Sequence, residues 1–228
     1  MERLNMASLQ KRTLSAVILA PIFIAIVWYG DWPLALWLVL ASLIALQEWY
    51  NLIQKLNEGR IYALVAGVAY ICVSFYSFFL CRELGGVHII LLLLMVWSSD
   101  IGAYFTGKIF GGPKLIPQVS PNKTWAGLGG ALLSPALVLI IFMIVTDDVA
   151  DWSGYVLALL LVLGSILGLL GQIGDLLISY VKRQAKVKDT GHLIPGHGGL
   201  LDRIDSLLLV TPVFYVLIKY FIIIMSET

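Results

Sequence analysis

The chain has 228 residues, 60% of them hydrophobic and 13% charged, with a net charge of +1. A bilayer core of about 30 Å demands roughly 20 apolar residues per spanning helix, and this chain supplies several such runs, which excludes a water-soluble globular domain. The expectation is an all-α, polytopic membrane helical bundle, a single integral-membrane domain over 1–228, with no nucleic-acid partner.

Taken in chain order, the apolar runs predict about seven transmembrane helices, near 14–30, 33–50, 61–80, 88–107, 125–146, 154–181 and 206–224. Lys11-Arg12 and the run behind it resemble the start of a secretory signal. The run ends in Trp28-Tyr29-Gly30-Asp31-Trp32, carries no small-x-small cleavage site and continues into a second apolar segment, so it is read as a retained first span. Residues 1–87 are expected to supply packing and lipid contact, and 88–228 to form the catalytic part. Cys72 and Cys81 fall nine residues apart on one predicted helix, about 13.5 Å along its axis, too far for a disulfide, and are read as packing residues.

Lys and Arg are retained on the cytoplasmic side of a membrane protein. Thirteen of the 15 basic residues fall before span one or in the segments after spans two, four and six. Arg82 lies on the opposite side, and Lys219 lies near the outer end of the last span, where its stem can snorkel. The amino terminus is therefore expected in the cytoplasm and the carboxyl terminus outside. The acids Asp147, Asp148 and Asp151 agree with an external loop, and the segments 107–124 and 182–205 face the cytosol.

Chemistry concentrates in residues 179–206, where five cations, three carboxylates, two histidines and four glycines occur in 28 positions. Ionised acids are costly in hydrocarbon and point to a cavity, a metal or a partner. Asp100 lies at the end of span four, Asp175 within the sixth segment, and Asp202 and Asp205 just before span seven. At about 100° per residue, Asp175, Ser179, Lys182 and Arg183 share one face of a helix. Asp100, Tyr104, Gly107 and Lys108 repeat the same offsets.

Between spans four and five, glycines, Lys114 and Lys123, and the hydroxyls of Ser120 and Thr124 suit phosphate, although no Walker A pattern is present. Two basic, glycine-rich segments on one face suggest a polyphosphate site. His192 and His197 have no cysteine nearby, and the Pro-Gly between them breaks any helix that would hold a zinc pair. Mg²⁺ held by Asp175 and Asp202 and shared with substrate phosphates suits the carboxylates better. His197 is the histidine better placed for a role at the site.

Gly174, Asp175, Ser179, Lys182, Arg183, Lys188, Asp189, the run Pro195-Gly-His-Gly-Gly199, and then Asp202, Arg203 and Asp205 stand at spacings that resemble the signature of phosphatidate cytidylyltransferases, also called CDP-diacylglycerol synthases. The segments Ser120-Pro-x-Lys123-Thr124-Trp125-x-Gly127 and Asp100-x-x-Ala103-Tyr104 resemble the same family, so the likeness covers roughly 97–210. Asn122 stands where the family usually has a base and Ala126 where it has an acid, so neither is given a role. The front half is also shorter than in longer members.

The resemblance implies transfer of the cytidylyl group of CTP to phosphatidate, giving CDP-diacylglycerol and pyrophosphate for phospholipid synthesis beside membrane lipids. It implies Mg²⁺ and room for a second cation, with Asp175, Asp202 and Asp205 as metal residues. Lys182, Arg183 and Arg203 would offset phosphate charge. Ser120, Lys123 and Thr124 would bind phosphate, with Asp100, Tyr104, Ser179, Lys188 and His197 lining the substrate site. A bacterial inner membrane with a cytoplasmic active site is the expected location, and a homodimer is an open alternative. Competing readings are another CTP-dependent lipid enzyme, such as a polyprenol kinase, and a secondary transporter.

Overall fold

The structure is a computed structural model that describes residues 21–146, 153–191, 193 and 198–227. Residues 21–29 are helical (α1). They are followed by α2 (Asp31–Ile53), α3 (Arg60–Leu84), α4 (Gly86–Phe110), β1 (Lys114–Ile116), β2 (Ser120–Thr124), α5 (Trp125–Thr146), α6 (Gly154–Gln184) and α7 (Leu201–Glu227). Among the described residues, α2 to α6 are five helices long and apolar enough to cross a membrane, and the chain is an integral membrane protein. The first expected span lies partly outside the described residues, as do His192, His197 and the acids at 147–151.

The chain divides into two compact units, Met1–Gly86 with Val181–Ile204, and Val87–Tyr180 with Asp205–Thr228. In the first unit, α2 buries Leu34, Leu38, Ala41, Ala45, Glu48, Trp49 and Leu52, a stripe at helical spacing. On α3 the stripe is Gly67, Ile71, Ser74, Phe78 and Cys81. The Trp49 indole lies against Gly67, where a Cβ would collide with it, and its Nε1 donates to the Ala63 carbonyl at 3.2 Å. Cys81 is buried as expected, whereas Cys72 is exposed because it sits off that stripe. Arg82 donates from Nε to the Val27 carbonyl at 3.2 Å and reaches those of Trp28 and Tyr29, satisfying the end of α1. Only Gly85 separates α3 from α4, and its φ of 135° is one that glycine adopts readily.

The second unit is built on small residues. Gly102 of α4 packs on Gly130 and Ser134 of α5, and Gly164 and Gly168 of α6 pack on Ala131, Pro135 and Ala136. Lipid offers no hydrophobic drive between helices, so close backbone approach of this kind supplies the packing. Pro135 lacks an N–H and leaves the Ala131 carbonyl without its helical donor. Ser99 Oγ of α4 donates to that carbonyl at 3.0 Å, which keeps the helix satisfied without water.

Two expectations change at the termini of these helices. The segment expected as an irregular loop over 107–124 stays helical to Phe110 and then forms an antiparallel ribbon, Lys114 opposite Thr124 and Ile116 opposite Ser120. Asp202 and Asp205, expected to precede the last span, lie in the first two turns of α7, whose apolar stretch begins after them. Within the segment expected as a loop over 182–205, α6 therefore continues to Gln184 and α7 begins at Leu201. At its end α6 closes through Val187 N–H to the Lys182 carbonyl at 2.9 Å and Lys186 N–H to the Arg183 carbonyl at 3.0 Å, with Lys186 left-handed at φ 56°.

Candidate active site

In the second unit, two residues of the polar face read from the sequence of α6, Asp175 and Ser179, are in contact. Ser179 Oγ donates to Asp175 Oδ1 at 3.1 Å, one turn away. The opposite oxygen of Asp175 meets Lys123 Nζ of β2 at 2.7 Å, and the same ammonium donates to Gln172 Oε1 at 2.7 Å. The Asp205 side chain of α7 is hydrogen-bonded to Asp175 as well. Two carboxyl groups in hydrogen-bond contact require a proton or a cation to hold them together.

Asp175, Lys123 and Gln172 open on a cavity of about 530 Å³. Asp175, Gln172, Lys123 and Asn122 form one part of its wall, and Asp100, Tyr104, Gly107 and Lys108 of α4 another. The second four-residue pattern seen in the sequence thus lines the same space as Asp175, one member of the first. Lys108 Nζ reaches Tyr104 Oη at 3.5 Å and lies over the ring, 5.6 Å from its centroid. Thr124 also lines the cavity, and its hydroxyl accepts the Gly127 N–H at 3.0 Å, capping the start of α5. Gly107 and Gly127 meet at the back of the cavity, where Thr124 and Gly127 leave a Cβ on Gly107 little room.

Some expected residues fall elsewhere. Ser120 lies on β2 opposite Ile116 and is not part of the cavity wall. Asn122, given no role from the sequence, is part of it. Lys182, Arg183, Lys188, Asp202 and Arg203 belong to the first unit. Arg183, Lys188 and Arg203 are exposed there, and Arg183 Nη1 donates to the Val187 carbonyl at 3.2 Å.

Lys182 and Asp202 are buried, 9% and 6% exposed in their side chains, and pair at 2.6 Å. The other Asp202 oxygen accepts the Thr190 N–H at 2.8 Å, the Thr190 hydroxyl at 3.0 Å and the Gly199 N–H at 3.0 Å. Burial alone would push this carboxyl up. The hydrogen bonds from Lys182, Thr190 and Gly199 and the Lys182 charge outweigh burial and hold it below the ordinary carboxylate range.

Sequence reasoning missed Glu48. Its carboxylate is buried and accepts the N–H of Leu200 at 2.8 Å, the N–H of Leu201 at 2.9 Å and the Thr190 hydroxyl at 3.0 Å. The available signal was an acid inside the apolar stripe of a spanning helix, the criterion that singled out Asp100 and Asp175.

Among the described residues, no three His, Cys, Asp or Glu side chains cluster closely enough to enclose an ion. Mg²⁺ takes one or two carboxylates and completes its shell with water and substrate phosphate. The Asp175–Asp205 pair fits that requirement, and an ammonium already sits against Asp175 as a cation would.

Comparison with known proteins agrees with this chemistry. The model of the Cytidylyltransferase family matches residues 55–221, a stretch that contains Glu48's loop partners, the ribbon and every cavity residue. A phosphatidate cytidylyltransferase of Rickettsia felis is 36% identical over 206 residues, covering 90% of this chain and 89% of that protein. One from Brucella suis is 34% identical, covering 92% and 93%. The chain belongs to the cytidylyltransferase family.

Proposed function

We propose that the protein transfers the cytidylyl group of CTP to phosphatidate, forming CDP-diacylglycerol and pyrophosphate. The observation that carries this reading is the cavity lined by Asp175 and Lys123, with Asp205 hydrogen-bonded to Asp175, beside a glycine-flanked ribbon, in a chain of apolar helices that keeps a lipid acceptor within reach. A phosphatidate oxygen attacks the α-phosphorus of CTP. The bond from that phosphorus to the bridging oxygen of pyrophosphate breaks, and no protein nucleophile is needed, so positioning and charge neutralisation carry the rate.

Asp175 and Asp205 are the carboxylates that would hold Mg²⁺, which when bound offsets charge on phosphate oxygens. Asp202, the remaining expected metal residue, is engaged by Lys182, Thr190 and Gly199, so its direct contribution would require exchange of those donors. Lys123 would turn from Asp175 to the triphosphate as the carboxylate takes up a cation, while Lys108 and Thr124 would bind phosphate from across the cavity. Arg183, Arg203 and Lys188 are exposed cations suited to pyrophosphate, Lys182 is the counter-charge of Asp202, and His197 is proposed to donate a hydrogen bond to phosphate. Asn122 and Gln172 offer amides to the cytosine edge.

Seven spans with the amino terminus in the cytoplasm, and an active site facing the cytoplasm of a bacterial inner membrane, are supported by the distribution of Lys and Arg. The test incubates the purified protein with CTP labelled in the cytidine and, separately, in the terminal phosphate. Labelled CDP-diacylglycerol from the first, dependent on added phosphatidate, is the expected result. Terminal phosphate transferred to a polyprenol would replace the proposal with a kinase, and solute flux without product would replace it with a transporter.

A further inference from the structure

The polar knot around Glu48 belongs to the first unit and is used by no step of the reaction. A carboxylate on a spanning helix would ordinarily be costly. Here three donors converge on it, all from the signature segment more than 140 residues later in the chain. Two of the three are the backbone N–H groups at the start of α7, which a helix leaves without internal partners. The negative charge also complements the positive end of the helix.

The fit extends to the glycines. A Cβ on Gly191 or on Gly199 would run into the Glu48 carboxylate, so the backbone at both positions closes directly around it. Thr190 links the knot to Asp202, its hydroxyl 3.0 Å from an oxygen of each carboxylate. A hydroxyl has one proton, so it serves one carboxylate at a time. Gly199 N–H goes to Asp202 and Leu200 N–H to Glu48, which divides the successive amides of this segment between the two acids.

We infer that Glu48 is a positioning residue for the signature segment: its carboxylate stands in the place of a bound anion, holds Thr190, Gly191, Gly199, Leu200 and Leu201 around itself, and through Thr190 and the first turn of α7 sets Asp202 and Arg203 for nucleotide binding. The glycines at 191 and 199 then serve an internal carboxylate and not a substrate phosphate. This inference rests on the cytidylyltransferase reading for its kinetic consequence and on geometry alone for its structural one.

The test compares wild type with Glu48→Gln and Thr190→Val in the full chain, reconstituted in nanodiscs, with Gln47→Ala on the exposed side of the same helix as control. Gln at 48 is isosteric but turns an NH₂ group toward donors. The expected result is faster hydrogen exchange over 189–204 with α2 and α3 unchanged, and kcat/KM for CTP reduced about 10- to 100-fold through a raised KM. Thr190→Val moves both in the same direction by less, and remains informative if Glu48→Gln does not fold. A merely structural role would instead lower the fraction of active enzyme at unchanged KM and raise exchange throughout α2 and α3; that result overturns the inference. So does unchanged exchange over 189–204. If wild type makes no CDP-diacylglycerol while the exchange pattern is as expected, the activity reading fails and the positioning of the segment stands.

Discussion

The molecule holds two lysine–carboxylate pairs of nearly equal length, and they differ in everything around them. Lys182–Asp202 is buried, and the second oxygen of Asp202 already receives three donors. Lys123–Asp175 faces a cavity, with 19% and 29% of the two side chains exposed, and Asp175 touches another carboxyl group. The first pair is complete in itself. The second has a cation that can leave and a charge excess that another cation can fill. Ion-pair distance alone does not distinguish a structural carboxylate from a chemical one; the remaining acceptors do.

The largest expected effect breaks the closed pair. Asp202→Asn leaves the Lys182 ammonium buried without its counter-charge and should cost about 3–5 kcal/mol of stability, read as a lowered unfolding midpoint of the purified protein. The open pair should respond the other way round. Asp175→Asn should leave thermal stability close to wild type while lowering CDP-diacylglycerol formation about a hundredfold or more, across a full Mg²⁺ titration. Equal stability losses in the two variants would erase the distinction.

Acid sharpens the comparison. The folded-state pKa of Asp202 is depressed, so its stabilisation is fully present above its unfolded value near about 4 and is lost as pH falls through the lower folded value. The stability difference between wild type and Asp202→Asn should therefore shrink as pH is taken from about 5 to about 3. A constant difference over that range would show that the Lys182 pair is not its source. The smallest effect concerns the cavity rim: Thr124→Ala removes the cap of α5 and should cost about 1 kcal/mol without abolishing turnover. A loss as large as that of Asp175→Asn would move Thr124 from capping to chemistry.

The fold was legible where hydrocarbon wrote it. Apolar runs placed the helices within a few residues, and the 3.6-residue period put Asp175 beside Ser179 and gathered Asp100, Tyr104, Gly107 and Lys108 on one wall. The ribbon was not legible, because strands of three and five residues with Pro121 among them carry no usable alternation. The pairing of Lys123 with Asp175 was not legible, because the two lie 52 positions apart. Glu48 was hidden for a related reason: two of its three donors are backbone amides, which leave no trace in side-chain identity.

The seam where Gly102, Gly107, Gly127 and Gly130 bring α4 and α5 together has a consequence for redesign. Only the small side chains of Thr106, Thr124 and Ser134 lie against these glycines, so there is little to trim for extra room, and an added carbon must push on them or on the facing backbone. Attempts to alter which nucleotide is accepted therefore have little latitude in the helical floor. They have to be written into the ribbon, where Asn122 and Lys123 can be exchanged without moving a helix.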